Sequence, residues 1–238
     1  IGAVRHYLRS MKAWNKVGVV GAGTMGSGIA QIAAQAGCDV ILVDSSAEAL
    51  QRSREKLAKV FARLVEKGRI ASDESESVQQ RITRVTTLES LAPCDMVIEA
   101  IVEDLAIKTT LFQSLEGMVS EDAVLATNTS SLSVTALARG CTRPERVIGL
   151  HFFNPAPLMA LVEVIPALQT EADLARHALA QMAAWGKSPA LAKDTPGFIV
   201  NRVARPFYSE ALRILEEGIA SVEDIDASMR AQGFRMGP

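Results

Sequence analysis

The sequence predicts an α/β fold: a doubly wound sheet carrying an inserted helical hairpin, followed by the start of an all-α C-terminal domain. Three observations support this. A short apolar run leads through a glycine cluster into a helix and out to a second apolar run. Strand-like runs then alternate with helical stretches. Near Asp194 the spacing turns purely helical.

The first strand run, Lys16 to Val20, is followed by small and apolar residues from Thr24 to Ala36, closed by Gly37. The next run, DVILV, ends at Asp44. About thirty residues are what a right-handed parallel crossover needs. Residues 47–67 combine strong helix formers with an apolar stripe that includes Leu50, Leu57, Phe61 and Leu64, broken at Gly68. Residues 72–80 predict a short polar helix, so the pair forms either an αα-hairpin projecting from the sheet or a solvated insert. Further strands are expected at 82–86, 96–99, 124–126, 147–150 and 161–164, with helices over 104–118 and 171–185. Past Ala192, Thr195 is placed to N-cap a helix with Pro196 in its first turn, running to about Glu217. The organisation expected is residues 1–10 as a linker or remnant outside the fold, 11–194 as the sheet domain, and 195–238 as the beginning of a helical domain that stops short.

The chain has 238 residues, 48% hydrophobic and 22% charged, enough for one large core and part of another. A formal net charge of −2 gives no broad footprint for nucleic acid. No apolar run reaches the eighteen or so residues of a membrane span, and the opening IGAVRHYLRS lacks the apolar centre of a signal peptide. Cys38, Cys94 and Cys141 are too scattered for a disulfide framework or a metal site, which fits a reducing cytoplasm.

Gly21, Gly23 and Gly26 form G-x-G-x-x-G between the first strand and the first helix. The first glycine suits a tight turn, the second lets the backbone approach a pyrophosphate, and the third lets helix and strand pack closely, as in a Rossmann domain. The helix N-terminus then offers N–H groups to phosphate. Asp44, at the end of the second strand, is placed to accept from the adenosine ribose hydroxyls and to repel a 2′-phosphate, which favours NAD over NADP. The alternative for Asp44 is an N-cap of the next helix.

His151 stands where LHFFNPAP leaves a strand, at the edge where open α/β sheets hold ligands. Glu163 lies in the otherwise apolar run LVEVI. A buried carboxylate needs a partner, and a histidine that exchanges a proton benefits from one.

Taken in order, GAGTMG, TNTSSL, GLHFFNPAP, LVEVI, DTPGFIVNR and MGP resemble the 3-hydroxyacyl-CoA dehydrogenase family, from Lys16 to Pro238. The stretch ARPFYSEALRILEEG is similar to the bacterial branch tied to phenylacetate and other aromatic degradation. The resemblance implies reversible oxidation of a (3S)-3-hydroxyacyl-CoA with NAD, with His151 as general acid–base and Glu163 as its partner. It implies that Ser130 and Asn201 position the substrate's C3 oxygen and carbonyl, with Ser130 beside the nicotinamide. It also implies cofactor contacts from Thr24 and Met25 in the glycine turn, and from Glu103, Lys108, Asn128 and Asn154. Family members continue past MGP with helices that complete a homodimer, so this chain is expected to stop within its second domain.

Other readings are open. Ser130 or Ser131 could cap the helix at Ser133, Asn201 could satisfy backbone groups, and Glu103 and Lys108 could be a surface pair. The basic residues Arg52, Arg54, Lys56, Lys59 and Arg63 could cradle the phosphates of CoA or form a solvated face. The rival activities are a short-chain β-hydroxyacid dehydrogenase, which relies on a lysine, and a non-catalytic relative of the lambda-crystallin kind.

Overall fold

The computed structural model describes residues 13–238, and residues 1–10 of the expected linker lie outside them. An eight-stranded sheet forms from β1 (Lys16–Val20), β2 (Asp39–Val43), β3 (Ile82–Val85), β4 (Met96–Glu99), β5 (Val124–Thr127), β6 (Val147–Phe152), β7 (Leu161–Pro166) and β8 (Ser188–Leu191). Its order is β3-β2-β1-β4-β5-β6-β7-β8. The pairs from β3 across to β6 are all parallel, whereas β7 runs antiparallel to β6. The first six strands therefore follow the doubly wound order, which reverses between β1 and β4. Apolar β-branched runs such as VGVV and MVIE suit strands covered on both faces. Val17, Val19, Leu42, Ile98 and Leu125 are accordingly all fully buried.

Helices α1 (Thr24–Gln35), α4 (Leu105–Glu116), α5 (Val134–Arg139) and α6 (Ala172–Ala184) make the crossovers. Between β2 and β3 stand α2 (Ala47–Glu66) and α3 (Ser72–Gln80). This pair does not project free of the sheet. Leu57 and Phe61 of α2 and Val78 of α3 join the main core cluster, because their stripe gives the edge strands the cover they need. Ser27 donates to Ser53 at 2.8 Å and ties α1 to α2 inside that core.

Two expectations change in the last quarter of the sheet unit. The segment SPAL forms β8, a strand that the expected pattern did not include. Proline is compatible with a strand here because β8 lies at the edge of the sheet. The helix expected to start at Thr195 begins instead at Val200, as α7 (Val200–Glu216), followed by α8 (Val222–Ala231). Gly197 and Phe198 both have positive φ, at 78° and 47°, and a right-handed helix cannot pass through that backbone.

The chain divides into two compact units, with the boundary between Thr195 and Pro196. Helices α7 and α8 have no buried residues. Among the described residues no helix is long and apolar enough to cross a membrane, and no group of three His, Cys, Asp or Glu is placed to hold a metal ion. All three cysteines are buried, and burial pushes the Cys94 thiol up to about 12.

Asp194 closes the sheet unit by capping a helix some sixty residues earlier. Its carboxylate accepts from Ser133 Oγ at 2.8 Å, Val134 N–H at 3.0 Å and Thr135 N–H at 2.7 Å, at the start of α5. Burial acts to raise its pKa, but the hydrogen bonds from Thr135, Ser133 and Val134 outweigh it and hold the carboxyl below its ordinary value. Asp194→Asn is expected to lower stability by about 1 kcal/mol at neutral pH, the usual cost of a lost N-terminal cap. Because the folded pKa lies below the ordinary 3.8, this contribution is complete above that value and disappears as pH falls through the folded one. Urea unfolding of both proteins between neutral and strongly acidic pH checks it, and a pH-independent gap would refute it.

Candidate active site

The glycine turn follows from steric demand. Gly21 has φ of 104°, and a Cβ there would stand 2.6 Å from the Ala100 carbonyl oxygen across the sheet. A Cβ on Gly26 would run into the carbonyl of Gly21, so strand and helix approach this closely only with glycine at both positions. At Gly23 an added Cβ would meet nothing within 4 Å. The space beside that backbone is open, and no side chain caps the start of α1, so the N–H groups of Thr24 and Met25 are available to phosphate oxygens. The residues present therefore fit a dinucleotide.

Asp44 is half-buried and fixes the turn. Its carboxylate accepts from Ala22 N–H at 2.7 Å and from Ser46 N–H at 2.9 Å. It does not N-cap α2. That role belongs to Ser46, whose Oγ accepts from Ala49 N–H at 3.1 Å. A cleft of about 560 Å³ opens at this edge between Gly21, Asp44, Thr86 and Ile101, where the strand order reverses.

The His151–Glu163 pair comes from strand register. His151 on β6 lies directly opposite Glu163 on β7 in the antiparallel ladder. The Nδ1 to Oε2 distance is 2.7 Å, with His151 6% exposed and Glu163 fully buried. An ionised carboxylate only accepts, so against it Nδ1 is the protonated nitrogen. Asn128 Oδ1 accepts from Phe152 N–H at 2.9 Å and holds the end of β6 to the turn after β5. Asn154 lies exposed in the turn that follows, which Lys187 Nζ clamps by donating to the carbonyls of Ala156 and Met159 at 2.7 and 2.9 Å.

Lys108 is not part of a surface pair. It is 1% exposed and bridges two carboxylates, Glu99 at 2.5 Å and Glu103 at 3.3 Å. Glu99, at the end of β4, is fully buried and also accepts from Thr127 Oγ1 at 2.7 Å and Ile101 N–H at 2.7 Å. Glu103 gathers the NTSS turn by accepting from Thr129 Oγ1 at 2.6 Å and from Ser130 N–H at 2.8 Å and Oγ at 3.3 Å. Burial acts to raise the Glu103 pKa, but these bonds and the Lys108 charge outweigh it and hold the carboxyl below its ordinary value. The N-cap of α5 is Ser133, so Ser130 and Ser131 are left to this network.

The sheet unit thus assembles three of the expected groups. Gly21, Gly23, Thr24, Met25 and Gly26 gather with Asp44; Glu103 and Lys108 with Ser130; and Asn128 with the His151–Glu163 pair. Asn201 belongs to the second unit, as the second residue of α7. Glu99 was missed, although its signal resembles that of Glu163: one carboxylate in the apolar run MVIE. Thr127, Thr129 and Lys187 carried no such signal, because polar residues near strand ends are ordinary turn composition. The five basic residues of α2 are all exposed. Arg52, Lys56, Lys59 and Arg63 share one helical stripe, of which Arg52 and Lys56 line a cleft of about 240 Å³ beside Gly23 and Thr24. Arg54 faces a different cleft, so the five do not form one cradle.

Residues 16–195 match the family described as 3-hydroxyacyl-CoA dehydrogenase, NAD binding domain, and residues 197–238 match its C-terminal domain. The chain is 48% identical over 93% of its length to 3-hydroxyadipyl-CoA dehydrogenase of Escherichia coli (strain K12), but spans only 47% of that protein. It is 45% identical over 94% of its length to a probable 3-hydroxybutyryl-CoA dehydrogenase of Deinococcus radiodurans, of which it spans 80%. A crystal structure of 3-hydroxybutyryl-CoA dehydrogenase from E. coli K12 superposes with a TM-score of 0.93 at 47% identity, covering 96% of this chain and 48% of that one. With an NAD-binding domain over residues 16–195 and the opening of the matching C-terminal domain after it, the chain belongs to the 3-hydroxyacyl-CoA dehydrogenase family.

Proposed function

We propose that the protein reversibly oxidises a (3S)-3-hydroxyacyl-CoA to the 3-oxoacyl-CoA with NAD. The observation that carries this reading is the buried His151–Glu163 pair at 2.7 Å, on the sheet whose C-terminal edge holds the glycine turn. NAD, when bound, supplies the hydride acceptor. His151 Nε2 removes the C3 hydroxyl proton in the oxidising direction and returns it in the other. Glu163 holds the ring in the Nδ1–H tautomer and stabilises the imidazolium that forms. Ser130, held by Glu103, and Asn201 keep the substrate-positioning roles that their motifs imply. A lysine-based short-chain β-hydroxyacid dehydrogenase fits less well, because the buried His–Glu pair would then have no task. A structural relative without activity would show no turnover.

The finer reading is a substrate such as 3-hydroxyadipyl-CoA or 3-hydroxybutyryl-CoA, within phenylacetate-type aromatic degradation. It is supported by the ARPFYSEALRILEEG stretch and by the names of the similar bacterial proteins. A cytoplasmic homodimer belongs to the same reading, and the exposed apolar residues Val203, Leu212 and Ile219 supply a surface for it.

Three outcomes test this reading on the full-length protein. His151→Ala is expected to lower kcat for NADH-dependent reduction of acetoacetyl-CoA by about 10² to 10⁴-fold, with NADH affinity unchanged, and a near-normal kcat would remove His151 from the mechanism. Gly26→Ala drives a methyl group into the Gly21 carbonyl, so NADH fluorescence titration should show affinity reduced by roughly 10-fold or more. Lys108→Met leaves Glu99 buried without its cation, and urea unfolding should show a loss of about 3–5 kcal/mol. A loss under about 1 kcal/mol would mean that the ion pair is not what stabilises this edge.

A further inference from the structure

We propose that a second cleft, beside the ribose end of the cofactor cleft, is an anion subsite that takes a phosphomonoester carried by a nucleotide. It has a volume of about 500 Å³ and lies between one face of α2, with Gln51 and Arg54, and the end of β3, with Arg84, Thr86 and Thr87. Thr86 also lines the cleft that contains Asp44, so the two spaces adjoin. The proposal rests on the reading of the Asp44 edge as the adenosine end of the cofactor site.

The two arginines make this cleft unlike an ordinary solvated surface. Arg84 stands on an edge strand, half-buried, and donates from Nη1 to the Ile82 carbonyl at 3.1 Å. Its Nε is buried and has no hydrogen-bond partner. Burial, and then the like charge of Arg54, hold the guanidinium below its ordinary pKa. Among the described residues no carboxylate forms an ion pair with either arginine, whereas Arg81, Arg143, Arg146, Arg176, Arg213 and Arg230 each have at least one. A buried donor without an acceptor and two facing like charges are both unfavourable, and one dianion between them would relieve both. Guanidinium groups match a phosphate's oxygens in pairs, and a phosphomonoester carries the charge that two arginines call for.

NAD carries only a diphosphate, which belongs at the glycine turn. The shared chemistry is therefore a phosphate on an adenosine ribose, and two sources offer it: the 2′-phosphate of a phosphorylated nicotinamide dinucleotide and the 3′-phosphate of CoA. The 2′ source would have to sit against Asp44, and the 3′ source would not.

Calorimetric titration of the protein with 5′-AMP, adenosine 2′,5′-bisphosphate and adenosine 3′,5′-bisphosphate tests this. At least one bisphosphate is expected to bind about 10-fold tighter than 5′-AMP, and the isomer that does identifies the source. Arg54→Gln and Arg84→Gln should each remove that advantage while leaving 5′-AMP and NADH affinity unchanged. Because Arg54 is exposed, its variant keeps the test valid even if Arg84→Gln folds poorly. Bisphosphates that bind no tighter than 5′-AMP, or an advantage that survives both substitutions, would overturn the subsite. Failure of the wild-type protein to bind NADH would instead overturn the cofactor reading, since the bisphosphate comparison is scored separately.

Discussion

A carboxylate buried in a sheet costs several kcal/mol unless cations or donors meet it, and this sheet buries two near its C-terminal edge. Glu163 is met by His151 across one rung of the β6–β7 ladder, and Glu99 by Lys108 from the next helix. Each pair fixes more than itself. Glu163 sets the tautomer and orientation of the imidazole. Lys108 ties β4 to α4 and, through Glu103, to the turn that carries Ser130. The polar edge of the domain is organised by the need to keep these charges paired.

The rest of the site depends on where the strand order reverses. With β1 and β4 adjacent, the connections after them leave on opposite sides of the sheet and open a crevice at their ends. Gly21 and Gly26 allow β1 and α1 to close on each other there. Asp44, through Ala22 N–H, locks the end of β2 onto the same turn. The glycine-turn edge and the His151–Glu163 pair are thus carried by one sheet, which suits the proposed reaction, since that requires a substrate carbon and a cofactor ring in fixed register. The antiparallel β7 matters for the same reason. A parallel strand would not have placed residue 163 opposite residue 151 after so short a connection.

Much of the fold was legible because its signals are local. Glycines at fixed spacing, apolar strand runs and breaker residues act within a few positions, so the βαβ unit, the helical pair and the acidic residue ending β2 could be read directly. The failures share a cause. The strand β8 was not expected, and its Pro189 is tolerated only because the strand lies at the sheet edge. Thr195 and Pro196 looked like a helix start, which the positive φ of Gly197 and Phe198 forbids.

The sequence by itself determined the class of fold, the glycine turn, and His151 and Glu163 as the residues to watch, since each follows from local spacing or from a charged residue out of place in an apolar run. Only the tertiary structure decided what those residues touch. It made Lys108 a buried bridge instead of a surface partner, brought Glu99 into the site, sent Asp194 back to cap α5 and turned Arg54 away from the other basic residues of α2. Those outcomes depend on burial and on contacts between residues far apart in the chain, and pairing at long range leaves no local trace in sequence.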